Sequence, residues 1–200
     1  THVELALAAA REAWPGRAIT LRDLRVWPPL ALDGAGRATL QVVLERSGAD
    51  GGTLRIASRE QPDGAWALRA TCRVFAEPAP PPSSDALPAI GAERPAALSP
   101  AALAARLGEQ GLALGPRMTT WREWVDGEAG RRAQLSLPRI ADSESHAFAV
   151  HPALLEACWL LAGPSGQART LASVEQIRFV SPVFAEATCT VSSETLSLIH

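Results

Sequence analysis

Apolar and polar positions follow two different periods in the first 76 residues. From Val3 to Trp14 the apolar residues recur three or four positions apart, which predicts an amphipathic helix that ends at Pro15-Gly16. The pattern then changes to short runs typical of strands, separated by turn residues. The predicted strands are Thr20–Val26, Ala38–Glu45, Gly52–Ser58 and Ala65–Phe75. We therefore expect one helix followed by an antiparallel meander.

A segment rich in proline and alanine, Glu77–Pro95, divides the chain, because such a composition can bury little apolar surface. Beyond it, Ser99-Pro100 is typical of a helix start, and this helix is predicted to run to Leu107. A loop is predicted at Gly111–Pro116. The remaining predicted elements are two strands and a helix, at Met118–Val125, Arg132–Leu137 and Pro152–Ala162.

The chain also contains an internal repeat. The apolar residues of Leu21–Leu30 match those of Val174–Val183, and Val3–Ala6 matches Leu155–Cys158 in the same order. This indicates two copies of one unit: a helix, a connector and a strand that opens a sheet. An antiparallel sheet that buries one face on such a helix is a hotdog fold. We expect an α+β double hotdog, with residues 1–76 and 99–200 as the hotdogs and 77–98 as the linker.

Composition excludes several classes of protein. The net charge is -2 with no block of like charge, so no nucleic-acid partner is expected. The apolar runs are too short to span a bilayer, and no signal peptide is evident. Cys72, Cys158 and Cys189 form no C-x-x-C pair, which favours reduced core thiols over a zinc site or a disulfide framework. Reduced thiols are typical of the cytoplasm, which is the expected location.

Residues 151–157 read H-P-A-L-L-E-A, which resembles the second catalytic motif of polyketide synthase dehydratase domains, H-P-A-L-L-D-A. Gly111–Met118 resembles the family's G-x-x-Y-G-P-x-F loop. Val3–Ala9 is similar to its first central helix, and Trp121–Pro138 to the strand pair between loop and motif. The resemblance implies a double hotdog, in agreement with the repeat.

The chain also departs from the family pattern. The family's H-x-x-x-G-x-x-x-x-P motif, which carries the catalytic base, is absent, and His2 does not replace it because it would lie inside the helix. The first hotdog therefore lacks its N-terminal strands, and the second is short after Glu156. Four family side chains are replaced, by Leu114, Met118, Glu156 and Leu160, and the L-P-F segment is read as Leu171-Ala172-Ser173.

Dehydration of a β-hydroxyacyl thioester needs a base for the α-proton and an acid for the leaving hydroxyl. The resemblance makes Glu156 the candidate acid; the alternative is a helix-start glutamate favoured by the helix dipole. His151 is expected to shape the start of the helix. The resemblance also implies a substrate tunnel, lined by Leu114, Gly115, Pro116, Met118, His151, Pro152 and Leu160.

Other candidates have simpler interpretations. Asp142, Glu144 and His146 form an exposed cluster, and no metal site is expected there. Trp121 and Trp124 are three residues apart, which favours core packing over ligand stacking. The pair Arg131-Arg132 is interpreted as a solvated turn, with contact to an acidic carrier protein as the alternative.

We therefore expect a dehydratase-like domain of a modular polyketide synthase that acts on or holds β-hydroxyacyl or enoyl thioesters. The expected partners are an acyl carrier protein, through its phosphopantetheine arm, and a neighbouring ketosynthase; no bound cofactor is expected, and a homodimer through the parent synthase is left open. Either the domain is an active dehydratase seen without its histidine strand, or it is a degenerate relative. A degenerate relative would be a branching or pyran-forming domain or a non-catalytic structural domain. The linker and the tandem copies disfavour a free-standing acyl-CoA thioesterase or hydratase.

Overall fold

The structure is a computed structural model that describes residues 1–27, 38–61, 63–79, 99–127, 130–162, 172–180, 183, 185–191 and 196–199. Helices α1 to α4 span His2–Ala13, Pro100–Glu109, Arg139–Asp142 and Pro152–Ala162, with a 3-10 turn at Ser145–Ala147. Strands β1 to β9 span Ala18–Val26, Thr39–Arg46, Gly51–Arg59, Ala67–Glu77, Trp121–Gly127, Gly130–Ser136, Ser173–Phe179, Glu186–Val191 and Leu196–Ile199. The chain divides into two compact units, Thr1–Ser83 with Leu171–Ser181 and Ser84–Thr170 with Pro182–His200.

The first unit is an antiparallel sheet packed against α1. Its strands lie in the order β2-β3-β4-β1-β7, and α1 contacts β1 to β4. Helix α1 buries Leu7 and Ala10, which lie three residues apart on one face, and the sheet buries Leu21, Leu54 and Ile56. The apolar periodicity that predicted this helix is therefore the pattern that attaches it to the sheet.

The predicted order of strands is wrong at two places. Strand β1 was expected to begin a meander, but it pairs with β4 and leaves only β2-β3-β4 as consecutive neighbours. The second copy of the repeat, β7, was expected to open the second sheet, but it pairs with β1 in the first. Strand pairing is set by contacts far apart in sequence, which an alternation of apolar residues does not specify.

The two copies of the repeated strand pair about a local two-fold. Leu21 lies opposite Ile177, which the repeat aligns with Leu24. Leu24 in turn lies opposite Val174, which the repeat aligns with Leu21. Both strands interrupt the alternation with two exposed residues between these apolar positions. In β1 the interruption includes Asp23, whose φ of 53° lies in the left-handed region that aspartate tolerates. Arg73 donates through Nε to the Asp23 carboxylate at 2.8 Å and holds this irregularity.

The second unit is an antiparallel sheet in the order β5-β6-β8-β9. Helix α4 contacts β6, β8 and β9, and α2 contacts β5. The predicted cap of α2 is confirmed, because the Ser99 hydroxyl accepts from the Ala102 N–H at 3.2 Å. Strands β8 and β9 and the short α3 lie where no element was predicted.

The bounds of α1, α4 and β1 to β6 agree with the predicted elements to within about three residues. Most of the predicted linker, residues 80–98, lies outside the described residues, as does Leu171 of the segment that replaces L-P-F. Among the described helices, none has the length and apolar character needed to cross a membrane.

Candidate active site

The start of α4 is organised by His151. Its carbonyl accepts from the N–H groups of Leu154 at 2.9 Å and Leu155 at 3.2 Å, and its Nδ1 accepts from the N–H of Ala153 at 3.1 Å. Pro152 occupies the first helical position, where a missing N–H costs nothing. The imidazole therefore caps α4, as a serine or aspartate does elsewhere. This is the structural role expected for His151.

The surroundings of His151 favour the neutral form of its imidazole. The residue is only 7% exposed, and the ring of Phe148 packs edge-on with its centroid 4.9 Å away. Burial lowers the pKa of His151; the carboxylate of Glu144 opposes this effect and the guanidinium of Arg117 adds to it. Since Nδ1 accepts a hydrogen bond, the ring proton lies on Nε2.

Arg117 and Glu144 form an ion pair between the loop before β5 and the turn before α4. Sequence reasoning missed this pair, because the partners are 27 residues apart and Glu144 was interpreted as part of a solvated loop. The available signal was Arg117 itself, a charged residue between Pro116 and Met118 in the family's loop motif. The pair connects that loop to the segment that leads into α4.

Glu156 lies in the second turn of α4, on its less buried stripe with Pro152 and Trp159. The carboxyl is half-buried, and among the described residues it has no hydrogen bond or ion pair. Burial raises the pKa of the Glu156 carboxyl above its usual range. An unpaired carboxyl in such a place favours its neutral, proton-bearing form, which is what a general acid requires.

The predicted tunnel residues occupy two environments within the second unit. Leu114 and Met118 are half-buried in the loop between α2 and β5, whereas Gly115 and Pro116 are exposed. Leu160, one helical turn after Glu156, is buried at 4% exposure on the packed side of α4. Leu160 thus offers no hydrogen bond beside Glu156.

The remaining candidates act structurally. Trp121 and Trp124 are buried in the core, as predicted. Arg131 donates to the carbonyl of Leu161 at 3.0 Å and so binds the last turn of α4, in contrast to the solvated turn predicted for it. The three cysteines are buried and form no disulfide with one another. No cluster of metal ligands occurs in the part of the chain that is described.

Comparisons with known sequences define the class of this double-unit fold. The sequence model for a polyketide synthase dehydratase domain matches residues 1–59, and the one for a polyketide synthase dehydratase N-terminal domain matches residues 82–197. The chain is 36% identical over 164 residues to the spectinabilin polyketide synthase system protein NorB of Streptomyces orinoci, and 33% identical over 169 residues to NorA' of the same organism. These matches cover 80% and 78% of this chain but 7% and 4% of the two relatives.

Solved structures agree with this class. The dehydratase domain from the CurK module of curacin polyketide synthase superimposes with a TM-score of 0.83 at 16% identity, covering 96% of this chain and 70% of that one. The dehydratase domain of RzxB from Pseudomonas fluorescens gives 0.76 at 20% identity, covering 99% and 78%. The chain belongs to the polyketide synthase dehydratase domain family, and the predicted α+β double hotdog is confirmed.

Proposed function

We propose that this domain acts on β-hydroxyacyl or enoyl thioesters attached to the phosphopantetheine arm of an acyl carrier protein, with Glu156 as the general acid. The observation that carries the proposal is the state of Glu156. It stands where the family motif has its acid, it is half-buried without a partner among the described residues, and its pKa is raised. A carboxyl in that state holds a proton at neutral pH more readily than an exposed glutamate does.

In this reaction Glu156 would give its proton to the β-hydroxyl group as the C–O bond breaks. A base would take the α-proton, its electron pair would form the double bond, and water would leave. The three described histidines are poorly suited to be that base. His2 begins α1, His146 is exposed, and the Nδ1 of His151 is occupied by the helix cap. None of the three described histidines is therefore assigned as the base.

A second candidate is a domain that holds thioesters or adds to them without dehydrating them. It is favoured by Leu160, which is buried where the family has a polar residue, and by Leu114 in place of the loop tyrosine. Without those polar groups, the carboxyl of Glu156 lacks partners that would orient it. The proposed tunnel residues Leu114, Gly115, Pro116, Met118, His151, Pro152 and Leu160 serve either function, as do a carrier protein and a neighbouring ketosynthase as partners.

The test is to replace Glu156 in the intact synthase and to identify the acyl chain left on the carrier protein by mass spectrometry. If Glu156 is the acid, Glu156→Gln causes a β-hydroxyacyl chain to accumulate, which is one water heavier than the enoyl chain. Glu123→Gln, an exposed glutamate on β5 of the same unit, is the matched control and leaves the product unchanged. An unchanged product in both variants would reject the acid and favour the holding function.

A further inference from the structure

We propose that His151 is a positioning residue for Glu156, and that it performs this role only while its imidazole is neutral. The inference rests on the proposed function in one respect, since it takes Glu156 as the group to be positioned. It goes beyond that function by assigning a pH-sensitive cap to the helix that carries the acid.

The geometry of the cap requires an unprotonated Nδ1. The N–H of Ala153 points at Nδ1 from 3.1 Å, and a second proton on the ring would place N–H against N–H. The common N-cap side chains accept through oxygen and keep that ability at any physiological pH. A histidine in this position loses its acceptor on protonation, so the cap is conditional.

The charges around His151 shift the protonation equilibrium of its imidazole. Glu144, from the turn before α4, favours the protonated ring, whereas Arg117, from the loop before β5, disfavours it. Burial and the positive end of the α4 dipole also disfavour protonation. The cap is therefore complete above the ordinary histidine pKa of about 6.5 and is lost as the pH falls through the lower pKa of the folded state.

Glu156 depends on this cap through the first turn of α4. Ala153, Leu154 and Leu155 all donate their N–H groups to His151, and Glu156 is the next residue of the helix. If the turn opens, the backbone that carries the carboxyl moves with it. A displacement of about 1 Å costs a catalytic group about a hundredfold in rate.

The test measures hydrogen exchange of the peptide containing Ala153–Leu155 in the intact polypeptide, by mass spectrometry, between pH 4.5 and 8. After correction for intrinsic exchange, protection in the native protein should fall as the pH drops below about 6.5. His151→Asn keeps an acceptor, so its protection should stay high and independent of pH. His151→Phe fills the space without an acceptor and should exchange about 5- to 10-fold faster at every pH, as expected for a lost cap. His146→Asn, at an exposed histidine, should match the native protein.

Turnover gives the second measurement. His151→Asn should lose the native decline of kcat at acid pH, whereas His151→Phe should have a kcat about 10- to 100-fold below that of His151→Asn at every pH. The proposal is overturned if the native protection is flat with pH, or if His151→Phe is as protected as His151→Asn.

Failure of the proposed function is a separate result. In that case Glu156→Gln leaves the product unchanged, while the exchange data still decide whether His151 is a conditional cap.

Discussion

The two central helices carry equivalent glutamates in very different states. The internal repeat aligns Glu4 of α1 with Glu156 of α4. Glu4 is 6% exposed and takes part in an interaction. Glu156 is half-buried, has no hydrogen bond or ion pair among the described residues and has a raised pKa. Under the proposed function, the first copy of the unit uses the position for structure and the second uses it for chemistry.

The starts of the two helices differ in the same way. Thr1 precedes α1 without a side-chain hydrogen bond to the helix, whereas His151 caps α4 through Nδ1. A capped first turn fixes the orientation of a reactive side chain in the next turn. This is useful because the orientation of a catalytic group contributes strongly to the reaction rate. The repeat therefore supplies two similar scaffolds, and under the proposed function only the second one carries a site.

The largest expected effect tests whether the two helices contribute equally to the stability of the fold. Leu7→Ala in α1 and Leu154→Ala in α4 each remove a fully buried side chain, so each should cost about 2–5 kcal/mol of unfolding free energy. Denaturant unfolding of both variants measures this. If only one of the two variants is destabilised, the two cores contribute unequally to the free energy of unfolding. The two helices would then not be equivalent in their packing.

The next prediction separates the two glutamates. Glu156→Gln should lower turnover about 100-fold or more and, at about pH 4.5, leave the unfolding midpoint nearly unchanged, because the protonated carboxyl has no hydrogen bond or ion pair to lose among the described residues. Glu4→Gln should do the reverse, with turnover kept and stability reduced by about 1–3 kcal/mol, because it disturbs a buried, engaged group. Kinetics and thermal unfolding of both variants would be compared. Equal effects on turnover would contradict the division of roles.

Much of this fold follows from local sequence signals. Helix α4 is predicted at its observed bounds because Pro152 marks its start and Gly163-Pro164 follows its end. The partner of β7 could not be predicted, since its pairing with β1 joins residues far apart in sequence and an apolar pattern does not specify such a pairing. The 3-10 turn and α3 are too short to produce a periodic pattern.

The site was predictable only in part. The seven-residue motif indicates Glu156 and His151, because both lie within one contiguous pattern. The ion pair of Arg117 with Glu144 depends on the folded chain bringing two loops together. The hydrogen bond from Ala153 to Nδ1 depends on a ring orientation that the sequence does not specify.

A smaller effect is expected at the paired repeat strands. Asp23→Ala should cost about 1 kcal/mol, because alanine disfavours a φ of 53° and the ion pair with Arg73 is lost. Asp23→Gly loses the same ion pair but tolerates that φ, so it should cost less. Chemical denaturation of the two variants gives the difference. If Asp23→Gly is less stable than Asp23→Ala, the positive φ at this position does not explain the need for aspartate.

The state of the Glu156 carboxyl can be measured through the pH dependence of stability. Its folded pKa is raised, so the folded state binds a proton that the unfolded state releases above about pH 4.5. Its contribution to stability is complete below that pH and is lost as the pH rises through the folded pKa. The measurement is the difference in unfolding free energy between the native protein and Glu156→Gln from pH 4 to 8. The native protein should lose stability relative to the variant by up to about 1.4 kcal/mol per pH unit within that window. A difference that does not change with pH would mean that Glu156 titrates like an exposed glutamate and is not a buried acid.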